Sequence, residues 1–548
     1  MSQRYPLSSC NFGLKHHISI LEMKNLFLIL FLTSGLVKAQ STFPFDIVLE
    51  AVNVSGAPGL QSYSKAENNG DWLILGGRTD GLHQRQPWQA FDAAGHHLNA
   101  VVINPDSSTV HWAPLSGLNN DTLEAQLSAT NANFTQVGDY LYIVGGYGLS
   151  AGAVHITHPV LTVIDVPSAI ASIKSTGTLD SSDFAIFSDE DFAVTGGKLM
   201  HLNSTFWLVG GHRFDGQYNP MGHNTYTQSY TEEILPFTVN GTFPNLTIAK
   251  LDPIEDTDEL HRRDYNVTYM TDGSDYYFNI WSGVFQKTAN LPYLNAVEIH
   301  DTTLTSVPNF SQYLNHYHCP SLSLYGQDQS AMYTVFFGGI AQYYYSNGTM
   351  MQDNDVPFVN TIGIVEKQGG SYSETKSSTT MPGLLGAGAE LFLNEELIQN
   401  HHILEADSIG TDTTWAGYIY GGISSPAANV FFGGMTNQSS ASSTIYRVGL
   451  VRNSGLSLNE ELPKSTLELL VAPNPSKEHL MAQFKCQEGG VATYRVLTME
   501  GKVIAKGTQR VEAGKNLLNL GHLNAAAGNY ILQINAVGQS QQIQFKWN

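Results

Sequence analysis

The sequence predicts an all-β protein in which one small antiparallel sheet is repeated. A short apolar run that ends in a glycine pair recurs along the chain, and a strand-like run with a polar turn precedes each copy. A further β-branched run follows each copy. The charged fraction is only 14%, and 51 glycines supply loops, so the composition is that of a β-rich globular protein. The copies lie at 72–77, 141–146, 206–211, 335–339 and 430–434, with a degraded copy at 277–283.

Each copy predicts one sheet made of a strand, a turn, a strand ending in Gly-Gly, a loop and another strand. A single sheet of this size cannot bury both faces, whereas repetition around a ring can. The sequence therefore predicts a six-bladed β-propeller over residues 40–452. The polar turns are expected at 68–71, 136–139, 203–204, 272–275, 326–328 and 424–426. The later strands are expected at 100–104, 161–165, 233–239, 296–300, 360–365 and 444–450.

The apolar-Gly-Gly unit resembles the kelch repeat, and the resemblance covers roughly residues 45–452. Kelch repeats are about 50 residues long, and the wider spacing here indicates long inserted loops. The tryptophan that usually follows is clear only in the first copy, at Trp112. The resemblance implies that the loop after Gly-Gly and the loop entering the first strand share one face. Such loops are where a propeller carries its function.

The N-terminal region has the features of a secretory signal peptide over residues 23–39. Lys24 gives a basic start, residues 26–32 are apolar, and cleavage after Ala39 would leave Gln40 first. Residues 1–22 are interpreted as an extension upstream of the true start at Met23. No other segment is long and apolar enough to predict a transmembrane helix in the mature chain.

A shift in charge separates the last part of the chain from the rest. Residues 40–452 carry 14 basic and 40 acidic side chains, whereas residues 453–548 carry 9 and 7. Residues 453–469 are predicted to be a linker. Apolar residues alternate with polar ones over 470–548, and glycine turns separate these runs. This pattern predicts a small Ig-like antiparallel β-sandwich.

The C-terminal region resembles the type A sorting domain of type IX secretion cargo in the Bacteroidota. The matching pieces are Pro-Asn-Pro at 473–475, Gly-Lys-Val-Ile at 501–504, the run 528–532 and the final Phe545-Lys546. The resemblance implies export to the outer cell surface or beyond, with the type IX secretion machinery as a partner. Nucleic acid is excluded as a partner of the acidic region, because phosphate would be repelled.

Three His- and Arg-rich stretches are candidates for a ligand site on the loop face. They follow the third Gly-Gly and enter the fourth and fifth sheets, so the repeat makes them neighbours. Arginine binds carboxylates in a bidentate manner, and tyrosine offers a stacking face. The cluster predicts a site for an anion or an acidic sugar. The candidates are His212, Arg213, Asp215, Tyr218, His261, Arg262, Arg263, Asp264, Tyr265, His316 and His318.

Other roles for these residues stay open. They could bridge neighbouring sheets through buried hydrogen bonds and ion pairs without binding anything. A weaker alternative is a metal site, in which His316 and His318 share one face of a strand and His212 and His261 converge on them. No cofactor is predicted. Tyr343–Tyr345 is either a stacking platform for glycans or packing between strands.

The favoured function is an exported propeller that binds a glycan or a protein through its loop face. The alternative is an enzyme on the same scaffold that acts on carbohydrate, as an epimerase or mutarotase, a lyase or a metal-dependent oxidase. A purely structural surface component is the third hypothesis. The fold alone does not choose among them.

Overall fold

The computed structural model describes residues 43–84, 89–219, 225–346, 348–453, 469–486, 488–498, 502–536 and 539–548. The predicted signal peptide, its cleavage site between Ala39 and Gln40, and residues 454–468 of the predicted linker lie outside these residues. The chain divides into two compact units, one up to Asn453 and one from Ser454 onward. Both are built almost entirely of β-strands.

Six sheets follow one another in the first unit, and each contains four antiparallel strands. Sheet 1 has Ser64–Asn68, Asp71–Leu75, Asn99–Asn104 and Thr109–Pro114; sheet 2 has Asn133–Val137, Tyr140–Val144, Val160–Asp165 and Phe184–Ser188; sheet 3 has Lys198–Leu202, Thr205–Val209, Glu233–Thr242 and Asn245–Lys250. Sheet 4 has Asn266–Thr271, Tyr276–Trp281, Ala296–His300 and Thr303–Ser306; sheet 5 has Ser321–Gly326, Ala331–Phe337, Thr361–Gln368 and Ser371–Thr380; sheet 6 has Ala389–Leu393, Thr414–Gly421, Ile445–Arg452 and Phe45–Val52.

Shorter strands, helices and turns lie between the strands of these sheets or at their edges. Two-stranded hairpins follow the second strand of sheets 2 to 6: Tyr147–Leu149 with His155–Thr157, His212–Gly216 with Tyr226–Tyr230, Val284–Gln286 with Ala289–Pro292, Tyr343–Ser346 with Thr349–Gln352, and Ile423–Ser424 with Ser440–Ala441. Ile254–Glu255 pairs with sheet 3, and Ile398–Asn400 and Ile403–Glu405 extend sheet 5. The α-helices are α1 (Asp121–Leu127) and α2 (Val166–Thr176). The 3₁₀ turns are Ala93–Gly95, Leu115–Leu118, Ser181–Asp183, Glu190–Phe192, Glu395–Leu397, Ala406–Ser408 and Thr436–Gln438.

Sheet 6 joins the two ends of the first unit. Its outer strand, Phe45–Val52, comes from the start of the unit and pairs with Ile445–Arg452 from the end. The register runs from Phe45 opposite Arg452 to Val52 opposite Ile445 without a bulge. The first and last strands therefore stabilise each other through a full antiparallel ladder.

Buried apolar side chains fill the space between each sheet and the next. One cluster joins sheets 1 and 2, another sheets 2 and 3, and a third spans sheets 3, 4 and 5. Two more join sheet 5 to sheet 6 and sheet 6 back to sheet 1. Aromatic pairs cross several of these boundaries: Tyr142–Phe206, Trp207–Phe278, Trp281–Phe336 and Trp72–Phe392, the last stacked at 3.9 Å.

The paired glycines end the second strand of each sheet in a left-handed backbone turn. Both residues have positive φ in all six sheets, with Ser282 as the first residue of the pair in sheet 4. The N–H of the second residue then donates to a carbonyl in the loop that enters the next sheet. These bonds are Gly77 to Ala129, Gly146 to Val194, Gly283 to His316, Gly339 to Leu385 and Gly422 to Leu60. Between sheets 3 and 4, the Tyr265 hydroxyl donates to the Val209 carbonyl instead.

A side chain would clash at the first glycine of several of these turns, whereas sheet 4 has Ser282 at that position. A Cβ on Gly145 would lie 1.9 Å from the Val194 carbonyl oxygen, and one on Gly76 would lie 2.4 Å from that of Ala129. A left-handed conformation is also unfavourable for any residue with a Cβ. Where both residues are glycine, as in sheets 1 and 2, the turn and the close approach of the next sheet both disfavour a side chain.

The sixth copy was assigned to the wrong residues by the sequence pattern. Residues 430–434 form a turn in the loop between the second and third strands of sheet 6, and 424–426 is not the turn between its first strands. The second strand is Thr414–Gly421, and its glycine pair is Gly421–Gly422. Gly417 interrupts the apolar run of this strand, where the pairing register shifts. Residues 418–422 have the same form as the copy at 335–339, so the sequence offers two candidates for the sixth copy.

The second unit consists of two sheets that share one core. One sheet contains Leu470–Ala472, Leu480–Cys486 and Gly514–Gly521; the other contains Val503–Val511, Gly490–Thr498, Gly528–Ala536 and Gln539–Trp547. Alternate residues of one strand, Leu480, Ala482 and Phe484, face the core, as a period of two requires. They pack with side chains such as Leu532 and Trp547 from the other sheet.

We expect Gly145→Ala to lower the free energy of unfolding by at least about 2 kcal/mol, because it adds left-handed strain and a backbone clash. Gly117→Ala is the matched control, since nothing lies within 4 Å of a Cβ placed there. Denaturant unfolding of the mature chain measures both. Equal stability of the two variants would contradict the role assigned to the glycine pairs.

Candidate functional site

One cavity of about 510 Å³ is lined by residues from the loops of all six sheets. The loops that enter the first strands contribute Gln61, Ser62, Thr130, Asn131, Thr195, Arg263, Asp264, Tyr317, His318, Ala387 and Gly388. The residue directly after each glycine pair also lines it: Arg78, Tyr147, His212, Val284, Ile340 and Ile423. The repeat therefore places two kinds of loop around one space, and their side chains decide its chemistry.

The cavity brings together five of the eleven predicted site residues. His212 and Tyr218 come from the loop after the third glycine pair, Arg263 and Asp264 from the loop entering sheet 4, and His318 from the loop entering sheet 5. These residues are far apart in sequence and come from three neighbouring sheets. The structure thus collects one member or more from each of the three predicted stretches.

Three other predicted residues are fully buried and bonded within the protein. The Arg262 guanidinium donates to the Ser282 carbonyl at 2.7 Å and to Glu259 at 2.7 Å, and it stacks on Tyr293. The Tyr265 hydroxyl donates to a backbone carbonyl. Both ring nitrogens of His316 form hydrogen bonds: Nε2 with the Gln312 carbonyl, and Nδ1 as acceptor of the Gln342 N–H. These side chains join the sheets to one another.

The remaining predicted residues lie outside the cavity lining. His261 contacts Glu232 at 2.5 Å and stacks on Tyr230. Arg213 pairs with Asp215 and with Glu190, each at 2.6 Å. The other Asp215 oxygen accepts the Thr157 N–H. These contacts hold the hairpin after the third glycine pair in place.

Arg263 is the centre of a hydrogen-bonded group on one side of the cavity. Its Nη1 donates to His212 Nδ1 at 3.2 Å, and its guanidinium lies 4.2 Å from the centre of the Phe285 ring. Asp264 receives a short bond of 2.6 Å from Asn131 but lies 3.3 Å from Arg263. Burial, and then the charge of Arg263, hold the pKa of His212 well below its usual value. His212 is therefore neutral at pH 7.

Arg78 is a cavity residue that the sequence prediction missed. Its Nε and Nη2 donate to the two oxygens of Asp80 at 2.7 and 2.5 Å, and Nη2 also donates to the Asp92 carbonyl. The side chain is only 1% exposed. Arg78 follows its glycine pair directly, as His212 does in sheet 3, and this shared repeat position was a signal that could have found it.

Aromatic rings form a continuous wall around part of the cavity. Phe91 contacts Tyr147 edge-on at 5.2 Å, and Tyr147 contacts Phe214 in the same way at 5.2 Å. His83 contacts Tyr218 at 4.8 Å. Burial lowers the pKa of His83 to about 4, so this ring is also neutral at pH 7.

Lys198 and Glu390 form a charged group with the ring of His318, which lines the cavity. Its Nε2 lies 2.8 Å from Lys198 Nζ and 2.9 Å from Glu390 Oε1. Burial by itself would raise the pKa of Glu390, but His318, Lys198 and Lys65 outweigh that effect and lower the pKa to about 2. Glu390 is therefore the anion of this group, beside Lys198 and the His318 ring.

The paired histidines do not have the geometry that the metal alternative assumed. His316 and His318 lie in a loop rather than on one strand. The N–H of His316 donates to the Ile340 carbonyl, and the N–H of His318 donates to the Asp264 carbonyl. Both nitrogens of His316 are already used by the protein. Within the described ranges, no group of three or more His, Cys, Asp or Glu side chains is placed to hold a metal ion.

Residues 470–546 match the family model of a secretion system C-terminal sorting domain. The protein is therefore exported by type IX secretion to the cell surface or the extracellular space. The type IX machinery is a partner of this domain. No helix in the described part of the chain is long and apolar enough to cross a membrane.

Similarities of the whole chain to known proteins are weak. The solved structure of YjhT is similar with a TM-score of 0.39 and 10% identity, over 69% of this chain and 95% of that one. A glycoside hydrolase family 43 arabinoxylan arabinofuranohydrolase from Bacillus subtilis, solved with cellotetraose, has a TM-score of 0.28 and 10% identity, over 89% of this chain and 95% of that one. No curated protein matches the chain. These similarities carry no information on function.

We expect Glu390→Gln to destabilise the protein at neutral pH by on the order of 2 kcal/mol, because Lys198 and His318 lose their anion. The pKa of Glu390 is depressed in the folded state, so its contribution is present above the ordinary pKa of 4.5. It is lost as the pH falls from there to about 2. The difference between the variant and the unmodified protein should therefore shrink over that range.

Denaturant unfolding at several pH values measures this difference. Glu50→Gln, on the exposed outer strand of sheet 6, is the control and should change little at any pH. A Glu390→Gln variant as stable as the control at neutral pH would contradict the assigned role.

Proposed function

We propose that the first unit is a kelch-like six-bladed β-propeller, and that its cavity binds a glycan outside the cell. The boundaries proposed with it are a signal peptide over 23–39, the propeller over 40–452, a linker over 453–469 and an Ig-like sorting sandwich over 470–548. The six similar sheets, the shared cores and the pairing of the first and last strands support the closed ring. The cavity, lined from all six sheets, supports the binding role.

The chemistry of the lining favours carbohydrate over other ligands. Sugar rings present apolar faces that stack on aromatic side chains and hydroxyl groups that need hydrogen-bond partners. The rings of Phe91, Tyr147 and Phe214 offer surfaces for stacking. Asn131 and Arg263 offer hydrogen-bonding groups for the hydroxyls. The volume of about 510 Å³ suits a ligand of one to a few sugar rings.

Binding is favoured over catalysis by the state of the carboxylates. Two Asp residues occur among the described residues that line the cavity, Asp264 and Asp355. Asp264 is held by Asn131 and Arg263, whereas Asp355 is exposed to solvent. A glycosidase-type mechanism needs two carboxyl groups that flank the scissile bond. An epimerase, lyase or oxidase activity remains the alternative, and incubation of the bound glycan followed by product analysis tests it.

We expect Ala428→Trp to abolish glycan binding, because the indole would enter the cavity from its exposed edge. Ala249→Trp adds the same side chain on an exposed position of the outer strand of sheet 3, away from the cavity, and should leave binding unchanged. A glycan array identifies the ligand, and titration calorimetry compares the variants. Equal affinity of both variants, or no glycan bound by the unmodified protein, would contradict the proposal.

A further inference from the structure

Four aromatic rings of the cavity lining form a continuous row that ends at the edge of the cavity. Tyr218 contacts His83 edge-on, with ring centres 4.8 Å apart, and His83 contacts Phe431 in the same way at 5.4 Å. Phe431 in turn contacts Phe432 at 5.2 Å. All four residues line the cavity. The row therefore extends the aromatic wall of the cavity as far as Phe432.

Phe432 is the outermost ring of this row, and 53% of it is exposed to solvent. Single exposed apolar side chains are common on protein surfaces and need no explanation. Phe432 differs from them because it lines the cavity and contacts a second ring of the same lining. An exposed ring that continues the wall of a cavity offers a stacking face to a ligand that reaches this edge.

Hydrogen bonds within its own loop hold the backbone around Phe432. The N–H of Gly433 donates to the Asn429 carbonyl at 2.9 Å, and the N–H of Met435 donates to the Val430 carbonyl at 2.8 Å. The ring thus projects from a bonded turn. Less conformational entropy is lost when a ligand binds to such a turn than when it binds to a loop that must first be ordered.

Polar side chains from a neighbouring loop lie at the same edge. The loop after the hairpin of sheet 5 contributes Asn354 and Asp355 to the lining, and both are exposed. A bond of 2.7 Å from Asn429 to Asp353 joins this loop to the loop of Phe432. Two glutamine amides donate to Oδ1 of Asn354, which leaves its Nδ2 to donate to a ligand. The edge combines an apolar face with hydrogen-bonding groups, as a sugar unit requires.

We infer that the ligand of the cavity is an oligosaccharide whose first units lie in the cavity and whose next unit stacks on Phe432 at the edge. The volume of about 510 Å³ holds one to a few sugar rings, so a longer chain has to leave the cavity across an edge. The ligand class is then a chain of sugars rather than a free monosaccharide. The inference rests on the proposed glycan-binding function and adds to it the length of the ligand.

The test compares oligosaccharides of different lengths. Series of one to six units of glucose, mannose, galactose or N-acetylglucosamine are titrated into the full mature chain by calorimetry. We expect the affinity in at least one series to rise with length until a unit reaches Phe432. Phe432→Ala should weaken the binding of these longer members about threefold to tenfold, since a stacking contact is lost. It should leave the affinity for the shortest member that binds unchanged.

Two further variants serve as controls, and thermal melting checks the fold of each. Phe432→Tyr keeps the ring and should keep the dependence on length. Trp112→Ala removes a half-exposed ring from the outer strand of sheet 1, outside the cavity lining, and should change no affinity. An equal effect of Phe432→Ala on all lengths, or no effect on any, would overturn the inference alone. No glycan bound in these titrations or on the array would overturn the proposed function itself.

Discussion

In every sheet except sheet 3, the N–H of the second residue in the glycine pair carries the bond on which this molecule depends. It donates to the loop that enters the next sheet, from Gly77 to Ala129 at one position and from Gly422 back to Leu60 at another. A side chain at the pair would collide with the next sheet, as the 1.9 Å approach at Gly145 illustrates. The contact that holds neighbouring sheets together therefore favours glycine at these positions, and the recurring glycines make the sheets recognisable in the sequence.

The location of the cavity is a consequence of that bond. It brings the residue after each glycine pair next to the loops that enter the first strands, and these two positions form the lining. The scaffold fixes the backbone, while the residue identities vary freely: Arg78, Tyr147 and His212 occupy equivalent positions in three sheets. Chemical specificity is thus added to a repeated frame without a change in the frame. Beside the cavity, the frame also buries a charged group, in which Glu390 faces Lys198 and His318.

Much of the fold followed from local pattern, because glycine pairs and the short apolar runs before them are both local signals. The pattern failed in sheet 6, where residues 418–422 and residues 430–434 both have the form of a copy and only the first pair ends a strand of the sheet. The site was harder to predict. The sequence correctly indicated which loops meet, but not which side chains face inward: adjacent Arg262 and Arg263 differ because one turns between sheets and the other faces the cavity. Arg78 was missed because the prediction relied on clusters of His and Arg in the sequence, whereas Arg78 is identified only by its equivalent position in the repeat.

The central proposal is that the sheets form a ring that closes between sheet 6 and sheet 1. Hydrogen–deuterium exchange followed by mass spectrometry tests it most directly, in peptides that contain Gly146, Gly339 and Gly422 and in one that contains Phe45–Val52. A closed ring predicts that the amide of Gly422 and the outer strand of sheet 6 are as well protected as the amides of Gly146 and Gly339. Much faster exchange at Gly422 and across Phe45–Val52 alone would show an open junction between these sheets, and would contradict the account.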